Sequence, residues 1–302
     1  QGVFMLGVFW LAVAWVASAA GGVSALTAGM TDAAPAFASL GGGLYSPQWM
    51  IAQAVVIAFG VAAFPQVNQR FFMADRVETL KRSFALWPVL VLLLFVPAFL
   101  LGSWAVGLGI QVPDGSNVLP LLLNEYTPAW FAALVIAGAL AAMMSSSDSM
   151  LLSGSSYFTR DLYRPFVAPD ASDEREAWIG RVGVAVFAAS TFLASLLVGG
   201  GGGLDVLVTL GDTAFGGYAQ LTIPLLLALY WSGTTEWGML AGVATAEVAY
   251  LAHVFLPLPA TYLSWDFALW CMLLSLLATV AVSTVTASAP AANAEKFGVG
   301  AD

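Results

Sequence analysis

Long apolar runs, separated by short polar segments, fill most of this chain and predict membrane-spanning helices. A helix of about 20 apolar residues crosses the roughly 30 Å hydrocarbon core of a bilayer. Eight windows of that kind, numbered here as spans one to eight, cover residues 2–20, 48–71, 85–108, 129–157, 178–198, 204–231, 237–255 and 264–285. The pattern therefore predicts an all-α polytopic membrane protein with about eight transmembrane helices.

The composition supports this fold class and excludes a water-soluble domain. Hydrophobic residues make up 60% of the 302 residues, charged residues make up only 9%, and the mean hydropathy is +0.87. The single cysteine, Cys271, and the single histidine, His253, lie in different spans without metal-type neighbours. We therefore expect a lipid bilayer as the environment, no cofactor and no nucleic-acid partner.

The cations lie on one side of the predicted topology. All nine Lys and Arg residues end or follow even-numbered spans or lie in the C-terminal tail: Arg70, Arg76, Lys81, Arg82, Arg160, Arg164, Arg175, Arg181 and Lys296. Membrane proteins retain Lys and Arg on the cytoplasmic side. We therefore predict a multi-pass protein of the plasma membrane, with both ends of this chain in the cytoplasm.

A polar run, SSSDS, interrupts the apolar fourth span at residues 145–149. An unsatisfied hydroxyl in hydrocarbon is costly and a bare carboxylate more so, which indicates that the run binds something hydrophilic. At 100° per residue, Ala142, Ser145, Ser146 and Ser149 form one stripe along the helix. Hydroxyl and carbonyl oxygens suit a small hard cation such as Na⁺. The alternative is that these small residues only allow close helix packing.

Asp148 borders this stripe beside Ser149 and carries the charge of the run. Its carboxylate has three open roles: it binds a second cation, it binds a proton, or it accepts hydrogen bonds from neighbouring hydroxyls. Close packing of small residues does not explain a carboxylate at this depth. We treat Asp148 and Ser149 as a candidate second cation or proton site.

A proline divides the second span near its inner end. Residues 64–70 are FPQVNQR, so polar side chains follow Pro65 in an otherwise apolar segment. Proline removes a backbone hydrogen bond and disfavours helical geometry at the preceding residue. Broken helices persist in membranes where the freed backbone faces protein or a wet cavity, the place where transporters bind their substrates. A simple proline kink explains the same residues, and the sequence leaves both interpretations open.

Three segments resemble the sodium:solute symporter family. Residues 139–166, ALAAMMSSSDSMLLSGSSYFTRDLYRPF, resemble its signature, an Ala-Ala-x-x-Ser-Ser/Thr core followed by Thr-x-Asp-Leu/Ile-Tyr. Residues 64–81, FPQVNQRFFMADRVETLK, resemble the family's Pro-His/Gln-x-x-x-Arg-Phe segment, and residues 1–5 resemble its QGxxM. The resemblance extends over essentially the whole chain.

This resemblance implies a partial LeuT-type transporter fold, in which two five-helix repeats are inverted relative to each other. Residues 1–302 would form a single membrane domain. Residues 1–20 would be the last helix of repeat one, and residues 48–231 would form repeat two. Residues 237–285 would form two peripheral helices, and residues 286–302 would be a cytoplasmic tail. The first four core helices would be missing from this sequence.

The resemblance also implies a function without enzymatic chemistry. Family members couple inward Na⁺ movement to the import of a small organic solute by alternating access, so Na⁺ would be the coupling ion. The principal sodium site would consist of the carbonyl of Ala142 and the hydroxyls of Ser145 and Ser146. Its remaining carbonyl ligands would belong to the missing first core helix.

The solute cavity implied by the resemblance lies at the broken helix. That helix would contribute Phe64, Pro65 and Gln66, and the sixth span would add Tyr218 or Gln220, whose faces the sequence does not establish. Gln66 stands where the Pro-His variant of the family motif has histidine. Any subfamily that depends on this histidine is therefore in doubt.

Two alternatives come from other functional classes. A symporter-like membrane domain can be the sensor module of a signalling protein, which would require a long cytoplasmic extension. An intramembrane aspartyl protease needs two facing carboxylates, and Asp148 and Asp212 would be the candidates. The serine run has no part in protease chemistry. The sequence does not identify the solute or the oligomeric state.

Overall fold

The computed structural model of the protein describes residues 2–35, 46–113, 117–199, 204–256, 258–259 and 261–286. Gln1 and residues 287–302, which make up nearly all of the predicted tail, lie outside the described residues. The described helices are α1 (Gly2–Ala19), α2 (Val23–Ala33), α3 (Pro47–Ala63), α4 (Pro65–Phe71), α5 (Val77–Gly107), α6 (Val118–Tyr126), α7 (Ala129–Tyr157), α8 (Arg164–Phe166), α9 (Asp173–Gly199), α10 (Leu204–Tyr230), α11 (Glu236–Phe255) and α12 (Phe267–Val285). A π-helical turn, Phe158–Tyr163, joins α7 to α8, and a short hairpin of β1 (Thr261–Tyr262) and β2 (Trp265–Asp266) precedes α12.

The predicted membrane-spanning helices are confirmed for the described residues. Seven of their helices are long and apolar enough to cross a bilayer: α1, α5, α7 with its continuation, α9, α10, α11 and α12. The helices α3 and α4, bent by 59° at the break between them, meet the same criteria together, so the described residues hold up to eight spans when this pair counts as one. Two shorter helices, α2 and α6, are not among the predicted spans and lie in segments expected to be loops.

The second span is broken, as the proline pattern allowed, and a simple kink does not describe it. The α3 helix begins at Pro47 with Ser46 as its cap, whose side chain accepts a hydrogen bond from Trp49 N. It ends before Phe64, which has an extended backbone at φ −61° and ψ 126°. Pro65 has no N–H and disfavours helical geometry at Phe64, so a new helix, α4, starts at the proline.

The contacts among the described residues divide the chain into two compact units. The first unit comprises Gln1–Ser39 and Gln69–Val206, and the second comprises Leu40–Asn68 and Leu207–Asp302. In the first unit, helices α1, α5, α6 and α7 surround a core of fully buried side chains. This core includes Val16, Leu101, Trp104, Leu122 and Val135, each at most 1% exposed.

The second unit contains a close helix pair, α11 and α12. Gly238 of α11 contacts Ser283 of α12, and Gly242 of α11 contacts Thr279. Small residues at such positions let two helix backbones approach, which favours van der Waals packing in a membrane where apolar side chains gain little from leaving lipid. This pair, together with α3 and α10, forms the second core.

Candidate functional site

The serine run lies within the continuous helix α7, so the predicted stripe of Ala142, Ser145, Ser146 and Ser149 forms as expected from the helical period. Ser145 and Ser146 are exposed, whereas Ala142 and Ser149 are half-buried. Among the described residues, neither the Ser145 hydroxyl nor the Ser146 hydroxyl makes a hydrogen bond. Both oxygens are therefore available to a ligand.

Ser149 is already engaged in hydrogen bonds. Its hydroxyl donates to Ser145 O at 3.1 Å, and it accepts from Arg70 Nη2 at 3.4 Å. One turn further, the single O–H of Ser153 is shared between two acceptors, Ser149 O at 2.7 Å and Gln69 Oε1 at 2.9 Å. The serine helix is thus bonded to the last residues of α4.

Sequence reasoning did not identify Gln69, Arg70 and Ser153 as part of this region. A signal for them existed: Gln69 and Arg70 belong to the polar run after Pro65, and Ser153 lies four residues after Ser149, on the same helix face. What the sequence did not contain is the pairing between two segments about 80 residues apart.

Asp148 is exposed on α7, and no hydrogen bond or ion pair to it is present among the described residues. Its carboxylate is free to bind a cation or a proton. The candidate second site at Asp148 and Ser149 therefore stays a prediction. The Ser149 hydroxyl already donates a hydrogen bond to Ser145 O.

The break in the second span is packed with aromatic rings of the second unit. The ring of Phe64 stacks on Phe215 with 5.1 Å between centroids, and it meets Tyr218 edge-on at 4.7 Å. Pro65 and Gln66 are half-buried beside it in sequence. The structure therefore brings together Phe64 and Tyr218 among the predicted cavity residues.

Helix α10 is fixed against α3 by a close contact and a hydrogen bond. A Cβ atom at Gly60 would lie 2.5 Å from Phe215 O, so only glycine allows this approach of the two backbones. Thr222 donates its hydroxyl to Phe59 O at 2.7 Å. These contacts determine which face of α10 is turned toward the helix break.

Gln220 lies on the other face of α10. Its side chain is fully buried, and Nε2 donates to Gly216 O at 3.0 Å and to Ala268 O at 3.1 Å. Its backbone carbonyl accepts from the Ser275 hydroxyl at 3.2 Å. Gln220 therefore joins α10 to α12, whereas Tyr218, two residues and roughly 200° away, contacts Phe64.

Comparison with known proteins gives consistent matches. Residues 1–245 match the family model described as the sodium:solute symporter family. The chain is 28% identical over 250 residues to the osmoregulated proline transporter OpuE of Bacillus subtilis, a match covering 80% of this chain and 50% of that protein. It is 30% identical over 210 residues to the sodium/proline symporter of Haemophilus influenzae, covering 65% and 40%, respectively.

A human protein, high affinity choline transporter 1, is 32% identical over 162 residues, which cover 50% of this chain and 27% of that protein. The chain thus spans half or less of the length of these relatives. A solved structure of a Na⁺-coupled sialic acid symporter, in a substrate-bound outward-open state, matches with a TM-score of 0.71 and 21% identity. The matched region covers 96% of this chain and 61% of the sialic acid symporter chain. This likeness confirms the predicted LeuT-type fold.

Proposed function

Because the chain belongs to the sodium:solute symporter family, we propose that this protein couples the inward movement of Na⁺ to the uptake of a small organic solute by alternating access. The relatives support this function: they are named as transporters of proline and of choline, and none of these names describes an enzyme. Na⁺ is the coupling ion in this proposal, and no other cofactor takes part.

The observation that carries the proposal is that two free hydroxyls of α7, those of Ser145 and Ser146, share one stripe with Ala142. Ser145 and Ser146 expose their oxygens on one stripe of an apolar helix, beside the half-buried Ala142. Serine hydroxyls inside helices commonly donate to the carbonyl one turn earlier, as Ser149 and Ser153 do here. Ser145 and Ser146 do not, so the carbonyl of Ala142 and both hydroxyls can replace the water of a sodium ion.

In our proposal, the other ligands of this sodium site are carbonyl groups of the first core helix of the LeuT-type fold, which would be missing from this sequence. The related sialic acid symporter structure is covered to only 61%, which leaves room for the four further core helices of the LeuT-type fold. Residues 1–20 would then be the last helix of repeat one, residues 48–231 repeat two, residues 237–285 peripheral helices, and residues 286–302 a tail. Asp148 and Ser149 would serve a second cation or a proton.

We place the solute cavity at the helix break. Phe64, Pro65 and Gln66 border the break, and the ring of Tyr218 contacts Phe64 there. Gln220 acts indirectly in this proposal. Its buried side-chain amide donates to Ala268 O, which holds α10 against α12 and so positions Tyr218. The cation distribution supports an orientation in the plasma membrane with both ends of this chain in the cytoplasm.

The test is the Na⁺ dependence of solute uptake by the full-length protein in vesicles. The double variant Ser145→Ala with Ser146→Ala should raise the Na⁺ concentration for half-maximal uptake about ten-fold or more, equivalent to ~1.4 kcal/mol of lost binding. Ser147→Ala is the matched control, because Ser147 lies in the same run but roughly 100° further around the helix than Ser146. An unchanged Na⁺ dependence in the double variant would refute the assignment.

A further inference from the structure

A cavity of about 520 Å³ lies in the first unit, where the end of α7, the π-helical turn and the start of α9 meet. It is separate from the serine stripe. Its lining carries three guanidinium groups, Arg160, Arg164 and Arg181, and two carboxylates, Asp173 and Glu176. The cavity therefore has one surplus positive charge, and its volume is within the range of small-molecule sites.

One of the two carboxylates of the lining, Glu176, is already paired inside the cavity. Glu176 forms ion pairs with Arg160 Nε at 3.4 Å and with Arg164 Nη1 at 2.9 Å, and its side chain is only 15% exposed. Arg181 lines the same cavity and makes no ion pair within the part of the chain that the structure describes. Arg181 and the Asp173 carboxylate are thus the two charged groups of the lining without an ion pair among the described residues, and of these two the guanidinium attracts an outside anion.

The hydroxyl groups of the cavity also include bonded ones and a free one. Ser155 donates to Gly180 O, and Thr159 donates to Ser155 O at 2.8 Å. Ser156 also lines the cavity, and its hydroxyl makes no hydrogen bond among the described residues. Ser156 and Arg181 together offer one neutral and one charged donor, a combination that suits phosphate oxygens.

Three exposed aromatic side chains are close in sequence to residues that line this cavity. Trp178 is 59% exposed, Tyr157 is 40% exposed and Phe158 is 42% exposed, and all three flank it in sequence. Tryptophan and tyrosine are enriched where membrane and water meet, at the level of lipid headgroups. Under the orientation proposed above, this level belongs to the cytoplasmic leaflet, which carries the anionic lipids.

We propose that this cavity binds the phosphate group of an anionic phospholipid, with Arg181 as the main ligand and Ser156 as a second donor. The Glu176 carboxylate limits the affinity, because it occupies Arg160 and Arg164. Free phosphate has the same chemistry, so the experiment must distinguish the lipid headgroup from the free ion.

The test uses the purified full-length protein in detergent and follows its thermal unfolding midpoint, which requires no transport activity. Dihexanoyl phosphatidylglycerol should raise the midpoint in a saturable way, whereas dihexanoyl phosphatidylcholine, whose quaternary ammonium cancels the charge of the same phosphodiester, should raise it much less. Arg181→Gln should weaken the apparent affinity for phosphatidylglycerol about five-fold or more. Arg175→Gln is the matched control, since Arg175 is exposed on the same helix but does not line the cavity.

A second variant separates the site from a folding defect. Glu176→Gln frees Arg160 and Arg164, so it should strengthen phosphatidylglycerol binding, an effect opposite in sign to general damage. A response to inorganic phosphate alone, lost in Arg181→Gln, would support the phosphate site with a soluble source. Equal phosphatidylglycerol affinity in the parent protein and Arg181→Gln would overturn the proposal, as would weaker binding in Glu176→Gln.

Discussion

The ring of Tyr218 meets the ring of Phe64 edge-on, with 4.7 Å between centroids, at the residue where the second span is broken. Phe64 has an extended backbone, and this conformation directs its ring onto α10 instead of along a helix face. The break and the aromatic contact therefore meet at one residue. A change in either should affect both the packing of α10 and the cavity that we place there.

The first prediction concerns this aromatic contact. Tyr218→Ala removes the ring, and it should lower the free energy of unfolding by about 1 kcal/mol through the lost ring pair, in addition to the lost apolar contact. The same change should raise the solute KM of the full-length protein. Thermal unfolding and uptake kinetics measure the two effects. Tyr218→Phe is the control, since it keeps the ring and should be close to the parent protein in stability.

The second prediction concerns the bonds between α7 and α4. The Ser153 to Gln69 hydrogen bond is 2.9 Å long, whereas the Arg70 to Ser149 contact is 3.4 Å long, near the limit of a useful hydrogen bond. Ser153→Ala should therefore cost about 1 to 2 kcal/mol, because it leaves the half-buried Gln69 acceptor without its donor. Denaturant unfolding of the purified protein measures this loss.

Ser195→Ala provides the comparison for that experiment, because Ser195 is exposed and donates only to Phe192 O in its own helix. It should change stability by less than about 0.5 kcal/mol. Equal losses in Ser153→Ala and Ser195→Ala would show that the bond to Gln69 contributes nothing to stability.

The third prediction concerns the α11 and α12 pair. A Cβ atom at Gly242 would contact Thr279 and would lie 2.9 Å from Ser275 O, so Gly242→Ala should force the helices apart and cost about 1 to 3 kcal/mol. Gly102 of α5 has open space at its Cβ position. Gly102→Ala should therefore leave stability unchanged or raise it by about 0.5 to 1 kcal/mol, and thermal unfolding compares the two.

The fourth prediction concerns pH. Asp266 caps α12 by accepting from Ala268 N at 2.8 Å, and burial raises the pKa of its carboxyl above the ordinary value, more than the hydrogen bonds from Ala268 and Gln53 lower it. The folded state therefore binds the proton more tightly than the unfolded state. Above the folded pKa of Asp266, its buried charge lowers the free energy of unfolding by the full amount. As the pH falls through that pKa, the carboxyl becomes protonated and this loss of stability disappears.

Asp266→Asn keeps an oxygen for the cap and removes the charge. It should raise the unfolding midpoint at neutral pH, and this advantage should shrink as the pH falls through the folded pKa of Asp266. The matched control is Asp75→Asn, because Asp75 also accepts a hydrogen bond, from Thr79, but is exposed. This control should not raise the unfolding midpoint at neutral pH. A pH-independent difference between Asp266→Asn and the parent protein would contradict the prediction.

Part of the candidate site could be predicted from local pattern alone. The stripe of Ser145 and Ser146 follows from the fixed period of the helix, and the proline after Phe64 indicates where a break or a kink can form. The orientation of Tyr218 and Gln220 could not be predicted in this way. Both lie in an apolar helix with weak polarity differences between its faces, and only the contacts to Phe64 and Ala268 distinguish them.

The sequence by itself determined that the chain crosses a membrane several times, because the transfer energy of a helix into hydrocarbon depends on its own length and composition. Only the tertiary structure decided which prolines interrupt a span. The second span is interrupted before Pro65, which starts α4, whereas Pro88, Pro97 and Pro224 lie inside continuous helices. The physical reason is that a break persists where distant side chains pack around the extended residue, as Phe215 and Tyr218 pack around Phe64.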